Sequence, residues 1–405
     1  MSPAPPIINT PDGLAGVLED VLATPVVALD TEADSFHHYY EKLCLIQVAT
    51  PDREALVDPL AGLDLRSLVK LLESKRLIVH GGDYDLRLLN RHFGFVPGEL
   101  FDTMLAAQLL GQKELGLAAL IQRYFGVAMD KGVQRADWSR RPLPPDLAAY
   151  ALGDIRYLLP LAGRLEAELA AMGRLAWHRE TCQRLAAVRF SPREPDPERT
   201  WRLRGSHTLP PPALAVLREL WGWREALARA RDVAPFRIIG NEYLVNLAAK
   251  AAEVGAEGIP PGVKLPRNVT GALREGLEAA IARGLALPPE GWPVLPERER
   301  QPQDPALGPR VARLREVRDA AAKRLLLDPA LVAPKSALVA IATTRPSTLD
   351  ELRALDVLYR WQAELLGPDL LRAPAPPEGP PGRRRRRRRR RRPAAARPPA
   401  GVVGQ

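Results

Sequence analysis

Short apolar runs alternate with segments of helical spacing along the first half of the chain. Runs of strand length lie near residues 25–30, 43–49, 54–58 and 76–80. Apolar residues recur at helical spacing near residues 83–94, 104–111, 116–125 and 146–171. No helical segment separates the first three strands, which predicts a meander, with the later strands added by crossovers.

The second half of the chain is helical and is divided by proline-rich segments. Ser191–Pro197 holds three prolines, which stop a helix and close the first domain. Helical spacing then predicts three helices, with Asn241 capping the second: Pro212–Arg231, Glu242–Ala252 and Gly271–Gly284. A second linker, Pro289–Pro309, precedes a further helical segment, Arg310–Gly367.

The first candidate chemistry lies at the end of the strand near residues 25–30. Asp30-Thr31-Glu32 directly follows an apolar run. Because residues two apart in a strand point to the same face, Asp30 and Glu32 would present two carboxylates side by side. Oxygen ligands of this kind suit hard cations such as Mg²⁺. The alternative is a solvated Asp-Thr-Glu turn.

A second acidic element follows the strand near residues 76–80. Gly81 and Gly82 suit a tight turn, and the next segment has helical spacing. We predict that Asp83 is the N-cap of this helix. Asp85 falls in the first turn, where the helix dipole favours a negative charge, and we assign it to a metal site. The alternative is that both acids only cap the helix.

The third element is the helical segment that begins at Asp146. Tyr150 and Asp154 are four residues apart, so both project from one face of the helix. A carboxylate and a phenol placed in this way can hold a metal and orient a water beside it. The alternative is an ordinary amphipathic helix whose tyrosine packs in the core.

These elements resemble the ribonuclease D family, within the DEDD exonuclease superfamily of RNase H-like fold. The Tyr150-to-Asp154 spacing is typical of the subclass that uses tyrosine, and Tyr84-Asp85 matches the second exonuclease motif. Further similarities are Leu43–Val48, Phe101–Thr103, Asp130-Lys131, Gln134, Asp137-Trp138 and Arg141–Leu143. The segment Ser35–Tyr40 is also similar to eukaryotic exosome-associated relatives.

The resemblance implies a mixed sheet flanked by helices and a metal-dependent 3′→5′ exoribonuclease. By it, Asp30, Glu32, Asp85 and Asp154 hold two divalent ions, Mg²⁺ or Mn²⁺, and Tyr150 positions the attacking water. The expected substrates are tRNA precursors and other structured RNA. The expected products are nucleoside 5′-monophosphates.

The helical half resembles HRDC domains, which present basic and aromatic side chains to nucleic acid. Trp201–Gly205 leads into the first copy, and Trp223-Arg224-Glu225 lies in its long helix. At least two of Trp201, Trp221 and Trp223 are expected in the core. The predicted division is an exonuclease domain at 1–190, HRDC-type domains at 200–288 and 305–370, and a tail at 373–405.

Composition narrows the class of protein. The 405 residues include 2 cysteines, Cys44 and Cys182, which belong to no C-x-x-C or Cys/His cluster. That argues against a zinc site and against a disulfide-stapled secreted protein. The chain has no apolar run of about 18 residues. Its N-terminus lacks the basic and apolar regions of a signal peptide. We therefore expect a cytoplasmic protein.

The positive charge is concentrated in the tail. Ten consecutive arginines, Arg383 to Arg392, account for the whole formal net charge of +10. We predict a disordered tail, because a run of like charges repels itself and buries no core. Such a run would bind phosphate backbones without sequence preference. The alternative is low complexity from a GC-rich genome.

Candidate substrate-binding residues lie beyond the catalytic strand. Aromatic side chains of residues 36–40, His37 and Tyr39 above all, could stack on terminal bases. Packing within the protein is the alternative. His80, Lys131 and Arg141 are further candidates. The scattered histidines His80, His92, His178 and His207 are otherwise typical of structural positions.

Two further functions stay open beside the exoribonuclease. One is a non-catalytic RNA-binding factor on an exonuclease fold, against which the complete set of four acids and Tyr150 argues. The other is a 3′→5′ exonuclease acting on DNA. Two HRDC-like modules without a helicase motif favour RNA.

Overall fold

The structure is a computed structural model that describes residues 7–129, 132–133, 135–192, 196, 198–255, 258–294 and 304–372. Asp130, Lys131, Gln134 and the arginine tail lie outside the described residues. The predictions made for Lys131 and for the tail therefore stay predictions.

One six-stranded mixed sheet forms the centre of the first half of the chain, in the order β1-β4-β3-β2-β5-β6. Strands β2, β3 and β4 pair antiparallel as the predicted meander, whereas β5 and β6 add parallel pairings on the far side of β2. The strands are Ile7–Ile8 (β1), Val26–Ala33 (β2), Leu43–Ala49 (β3), Glu54–Val57 (β4), Arg76–Val79 (β5) and Glu99–Asp102 (β6).

Helices cover both faces of the sheet, and each face has its own core. Val27 and Leu29 of β2 face one core, which α1 to α3 cover, whereas Ala28 faces the other, to which α4 to α7 contribute. We call this body, up to the end of α8, the sheet domain. Its helices are Pro11–Ala23 (α1), Arg66–Glu73 (α2), Asp83–Phe93 (α3), Thr103–Leu109 (α4), Leu117–Phe125 (α5), Pro145–Arg156 (α6), Leu158–Ala171 (α7) and Leu175–Ala186 (α8).

Two helical modules follow, each around a separate apolar core. The first helical module comprises Pro211–Arg231 (α9), Pro235–Ile238 (α10), Asn241–Val254 (α11) and Ala272–Leu285 (α12). The second helical module comprises Leu307–Leu325 (α13), Pro329–Val332 (α14), Lys335–Thr344 (α15), Leu349–Ala354 (α16) and Arg360–Arg372 (α17). Trp201 is fully buried in the first core, and Trp221 and Trp223 are partly buried against it.

The second helical module contacts helix α8 of the sheet domain. The indole rings of Trp177 in α8 and Trp361 in α17 stack with centroids 4.6 Å apart. Glu180 accepts hydrogen bonds from the backbone nitrogens of Arg360 and Trp361.

Across the residues that the structure describes, no helix combines the length and apolar character that a membrane crossing requires.

Three local predictions were wrong. The helix expected over residues 146–171 is two helices, α6 and α7, separated at Tyr157. Pro160 explains the break, because a proline has no N–H and its ring collides with the carbonyl four residues earlier.

The other two errors concern helix caps. Gly82, not Asp83, is the N-cap of α3, and Asp83 instead forms an ion pair with Arg87. Gly240, not Asn241, is the N-cap of α11, and the Asn241 side chain accepts a hydrogen bond from Arg224. In both helices a glycine is the N-cap, and the side chain of the residue after it contacts an arginine instead of capping the helix.

Candidate active site

Strand β2 presents two carboxylates to helix α6. Asp30 and Glu32 lie two residues apart in the strand, as predicted, and point to the face that α6 covers. Asp154 of α6 completes a group of three, and one carboxylate oxygen of each residue lies within 4.8 Å of the others. Residues more than 120 positions apart in the chain therefore meet at one point.

Helix α6 also brings Tyr150 to the same place. Tyr150 and Asp154 are one turn apart, and the Tyr150 side chain lies close enough to offset part of the rise in the pKa of the Asp154 carboxyl. The Tyr150 ring packs at a tilt against Trp138, with centroids 6.2 Å apart. The phenol is thus held between the core and the carboxylate group.

Asp85 approaches from the opposite layer of the sheet. It lies in the first turn of α3 and is 8% exposed. The Thr31 hydroxyl donates a hydrogen bond of 2.5 Å to Asp85 Oδ1, which ties α3 to the strand that carries Asp30 and Glu32. The negative charge of Asp85 acts on both of those carboxylates.

A buried aspartate supports the turn that precedes Asp85. The Asp102 carboxylate is fully buried and accepts hydrogen bonds from the backbone nitrogens of Gly81 at 3.1 Å and Gly82 at 2.9 Å. It also accepts from the nitrogens of Met104 and Leu105 at the start of α4. Gly81 has φ +67°, a left-handed conformation that glycine adopts without strain.

Replacing Asp102 by alanine should lower the free energy of unfolding by about 3 kcal/mol, because four backbone N–H groups in buried or partly buried positions lose their acceptor. Urea unfolding of the full chain measures the change. Asp328→Ala is the matched control, since Asp328 caps α14 through Ala330 in an exposed position. A loss at Asp102 no larger than at Asp328 would contradict this role.

Burial raises the pKa of all four carboxyls. The pKa rises to about 9 for Glu32, about 7 for Asp154 and about 6 for Asp85. Burial raises the pKa of Asp30 well above its ordinary value, and the charges of Asp85, Glu32 and Asp154 add to the effect. Clustered, poorly hydrated carboxylates repel each other, so the site as built favours bound cations or protons.

Asp30, Glu32 and Asp154 line an open cleft of about 460 Å³. Its walls include Gly116 and Leu117 at the start of α5 and Met129 in the segment after it. Hard divalent cations prefer oxygen ligands, and the donor set here consists of carboxylate oxygens. The site therefore fits divalent metal ions by the chemistry of its donors.

Two residues hold the acids in place, and neither of them was assigned a role from the sequence. Thr31 holds Asp85, as described above. Gln47 of β3 pairs with Asp30 across the sheet. With its amide oriented to satisfy both neighbours, Gln47 donates to Asp30 Oδ2 at 2.8 Å and to the Ala151 carbonyl at 3.3 Å. Gln47 stands in a strand that is buried along its whole length, and a buried polar residue was the available signal.

The candidate substrate contacts fall into different settings. His80 lines the cleft, and its Nδ1 lies 2.9 Å from the Thr103 hydroxyl. Arg141 forms an ion pair of 2.6 Å with Asp58 and also donates to the Cys44 carbonyl, contacts that point to a structural role. Lys131 lies outside the described residues.

His37 and Tyr39 lie at the contact between the sheet domain and the first helical module. His37 bonds to the Arg135 carbonyl at 2.9 Å and to Arg237 at 2.7 Å. The Tyr39 hydroxyl accepts from Arg229, and its ring packs against the core of that module. These contacts favour the alternative that residues 37–39 pack within the protein.

Comparison with known proteins gives two family matches within the chain. A model described as 3′-5′ exonuclease matches residues 5–170. A model described as HRDC domain matches residues 213–253 and 309–373. A protein named ribonuclease D from Jannaschia sp. (strain CCS1) is 33% identical over 377 residues, which cover 91% of this chain and 95% of that protein.

The chain belongs to the ribonuclease D family. The crystal structure of Escherichia coli RNase D superposes with a TM-score of 0.62 at 28% identity, covering 90% of this chain and 97% of that one. A crystal structure of a protein from Bifidobacterium adolescentis shows the same fold, with a TM-score of 0.75 at 24% identity and coverage of 91% and 97%. The predicted fold class, a mixed sheet with flanking helices followed by a helical HRDC region, is confirmed.

Family membership also establishes the activity. The chain is a hydrolytic 3′→5′ exoribonuclease. The alternatives of a non-catalytic binding factor and of an enzyme directed at DNA are not favoured.

Proposed function

We propose that this exoribonuclease trims the 3′ ends of structured RNA, tRNA precursors included, and releases nucleoside 5′-monophosphates. The observation that carries the proposal is the convergence of Asp30, Glu32 and Asp154 within 4.8 Å at an open cleft. The E. coli relative is described as an exoribonuclease involved in structured RNA processing, which supports the substrate class.

We assign the four carboxylates to two divalent cations. Asp30, Glu32 and Asp154 would hold one ion, and Asp30 would hold the other with Asp85 acting through a water. When bound, two such ions, Mg²⁺ or Mn²⁺, would supply an activated water and stabilise the leaving 3′ oxygen. Thr31 and Gln47 keep the carboxylates in place through the hydrogen bonds described above.

The assignment gives Tyr150 the task of orienting the attacking water. Tyr150 lies one helical turn from Asp154 and lines the cleft. A phenol can hold a water in place by hydrogen bonding. His80, which lines the same cleft, is the candidate contact for the terminal nucleotide.

The test uses a tRNA precursor whose last phosphodiester carries the radiolabel, with a DNA of matched sequence. In Mg²⁺ or Mn²⁺ we expect the label to appear at once as a nucleoside 5′-monophosphate, with RNA degraded faster than DNA. Label in a 3′-monophosphate or a longer fragment would contradict the mechanism. Degradation of DNA at the same rate would contradict the substrate class.

A further inference from the structure

The chain segment after strand β2 leads from the cleft to the first helical module. Asp232, at the end of α9, accepts hydrogen bonds from the backbone nitrogens of Tyr39 and Tyr40 at 3.1 and 3.0 Å. It also pairs with Lys42 at 3.1 Å and with His38 at 3.0 Å. These contacts hold the start of α10 beside residues 36–40.

Two phenylalanine rings are exposed at this contact. Phe36 from the segment after β2 is 45% exposed, and Phe236 from α10 is 54% exposed. Their ring centroids lie 6.5 Å apart with planes at 75°. A hydrogen bond of 3.1 Å from the Ala234 nitrogen to the His37 carbonyl fixes the two backbones next to them. Exposed aromatic rings offer faces on which nucleobases can stack.

Two guanidinium groups accompany the rings. The guanidinium carbon of Arg135 lies 5.7 Å from the centroid of the Phe36 ring. Arg237 donates to the Phe36 carbonyl at 3.4 Å, and both arginines are exposed. No carboxylate in the part of the chain that the structure describes forms an ion pair with either of them. Arg91 and Arg156, by contrast, are paired with glutamates.

We propose that Phe36, Phe236, Arg135 and Arg237 form a platform for single-stranded RNA immediately upstream of the 3′ end that enters the cleft. The proposal rests on the proposed function and extends it to a further binding site. Two residues of the platform are close in the chain to residues of the cleft: Phe36 follows Glu32 by four residues, and Arg135 follows Met129 by six. Glu32 and Met129 both line the cleft.

The chemistry of the platform selects a single strand. Aromatic faces stack on bases that are already unstacked, and every base offers such a face. The two guanidinium groups, which no described carboxylate neutralises, supply positive charge for the phosphates between those bases. Bases held here would keep the strand beside the cleft between successive cleavages.

The test compares wild-type protein with Phe36→Ala/Phe236→Ala, as full-length chains in EDTA so that binding is measured without hydrolysis. Fluorescence anisotropy follows a 12-nucleotide and a 3-nucleotide RNA. We expect the double variant to bind the 12-mer about tenfold more weakly, because it loses the stacking of one or two bases. The 3-mer, which fills only the cleft, should bind with unchanged affinity.

Two further variants separate stacking from folding defects and from general charge. Phe36→Tyr/Phe236→Tyr keeps both rings and should bind the 12-mer as the wild type does. Arg135→Gln/Arg237→Gln should make the slope of log affinity against log salt shallower by about 1.4 units, because roughly two phosphate contacts are lost from a single strand.

Equal binding of the 12-mer by wild type and Phe36→Ala/Phe236→Ala would overturn the platform. An equal loss for the 12-mer and for a blunt RNA duplex would also overturn it, since a duplex offers no free base faces. Failure of the wild-type protein to release mononucleotides would instead refute the proposed function. The binding measurement is independent of that outcome.

Discussion

Replacing Asp30 by asparagine should reduce RNA hydrolysis to less than a few per cent of the wild-type rate and leave the fold intact. Asp30 shares the 4.8 Å group with Glu32 and Asp154 and also lies within electrostatic reach of Asp85. It is therefore the one carboxylate assigned to both cations. Asparagine has nearly the same shape and keeps an oxygen for the hydrogen bond from Gln47.

Steady-state release of mononucleotides measures the effect, and Asp83→Asn is the matched control. Asp83 lies two residues from Asp85 on α3, but its side chain is 57% exposed and pairs with Arg87. The control should retain wild-type activity. An Asp30→Asn protein with more than a few per cent of the wild-type rate would contradict the assignment.

Divalent cations should stabilise the protein far more at alkaline than at acidic pH. Folding raises the pKa of Glu32 to about 9 and of Asp154 to about 7. Acids whose pKa is raised by folding stabilise the folded state below their unfolded pKa, near 4, and this contribution is lost as pH rises through 7 to 9. Cations replace the lost protons, so their stabilising effect grows over that range.

Melting temperatures with and without Mn²⁺ at pH 5.5 and pH 8.5 measure this effect. We expect the metal-free protein to have a lower melting temperature at pH 8.5 than at pH 5.5. The increase in melting temperature on adding Mn²⁺ should be larger at pH 8.5. Asp154→Asn should show a smaller gain, because one buried charge is absent. A gain from Mn²⁺ at pH 8.5 equal to or below that at pH 5.5 would contradict the electrostatic account.

Local sequence patterns predicted the elements that are long and regularly spaced. Strands β2 to β5 stand close to their predicted positions, because each is a continuous apolar run. β1 has only two residues and exists through its pairing with β4, almost fifty positions away. The break between α6 and α7 was predictable, since Pro160 is visible in the sequence.

The site was predictable where its geometry is local. The spacing of Asp30 and Glu32 in a strand, and of Tyr150 and Asp154 in a helix, follows from backbone periodicity alone. The hydrogen bond from Thr31 to Asp85 depends on how α3 packs at the end of the sheet. The four hydrogen bonds that Asp102 accepts depend on how closely the turn at Gly81 and Gly82 approaches the start of α4.

The surroundings of the site were the least predictable part. His37 and Tyr39 were candidates for base stacking, and the structure places them against the first helical module. Their partners, Arg237 and Arg229, lie about 190 to 200 positions away in the chain. No local pattern specifies a contact between modules of this kind.

The most direct test is the number of Mn²⁺ ions that the metal-free protein binds at pH 8, measured by isothermal titration calorimetry. We expect two ions per chain in the wild type and loss of both in Asp30→Asn, with Asp83→Asn unchanged. A wild-type protein that binds no Mn²⁺, or an Asp30→Asn protein that binds two with unchanged affinity, would show that these carboxylates do not form the metal site.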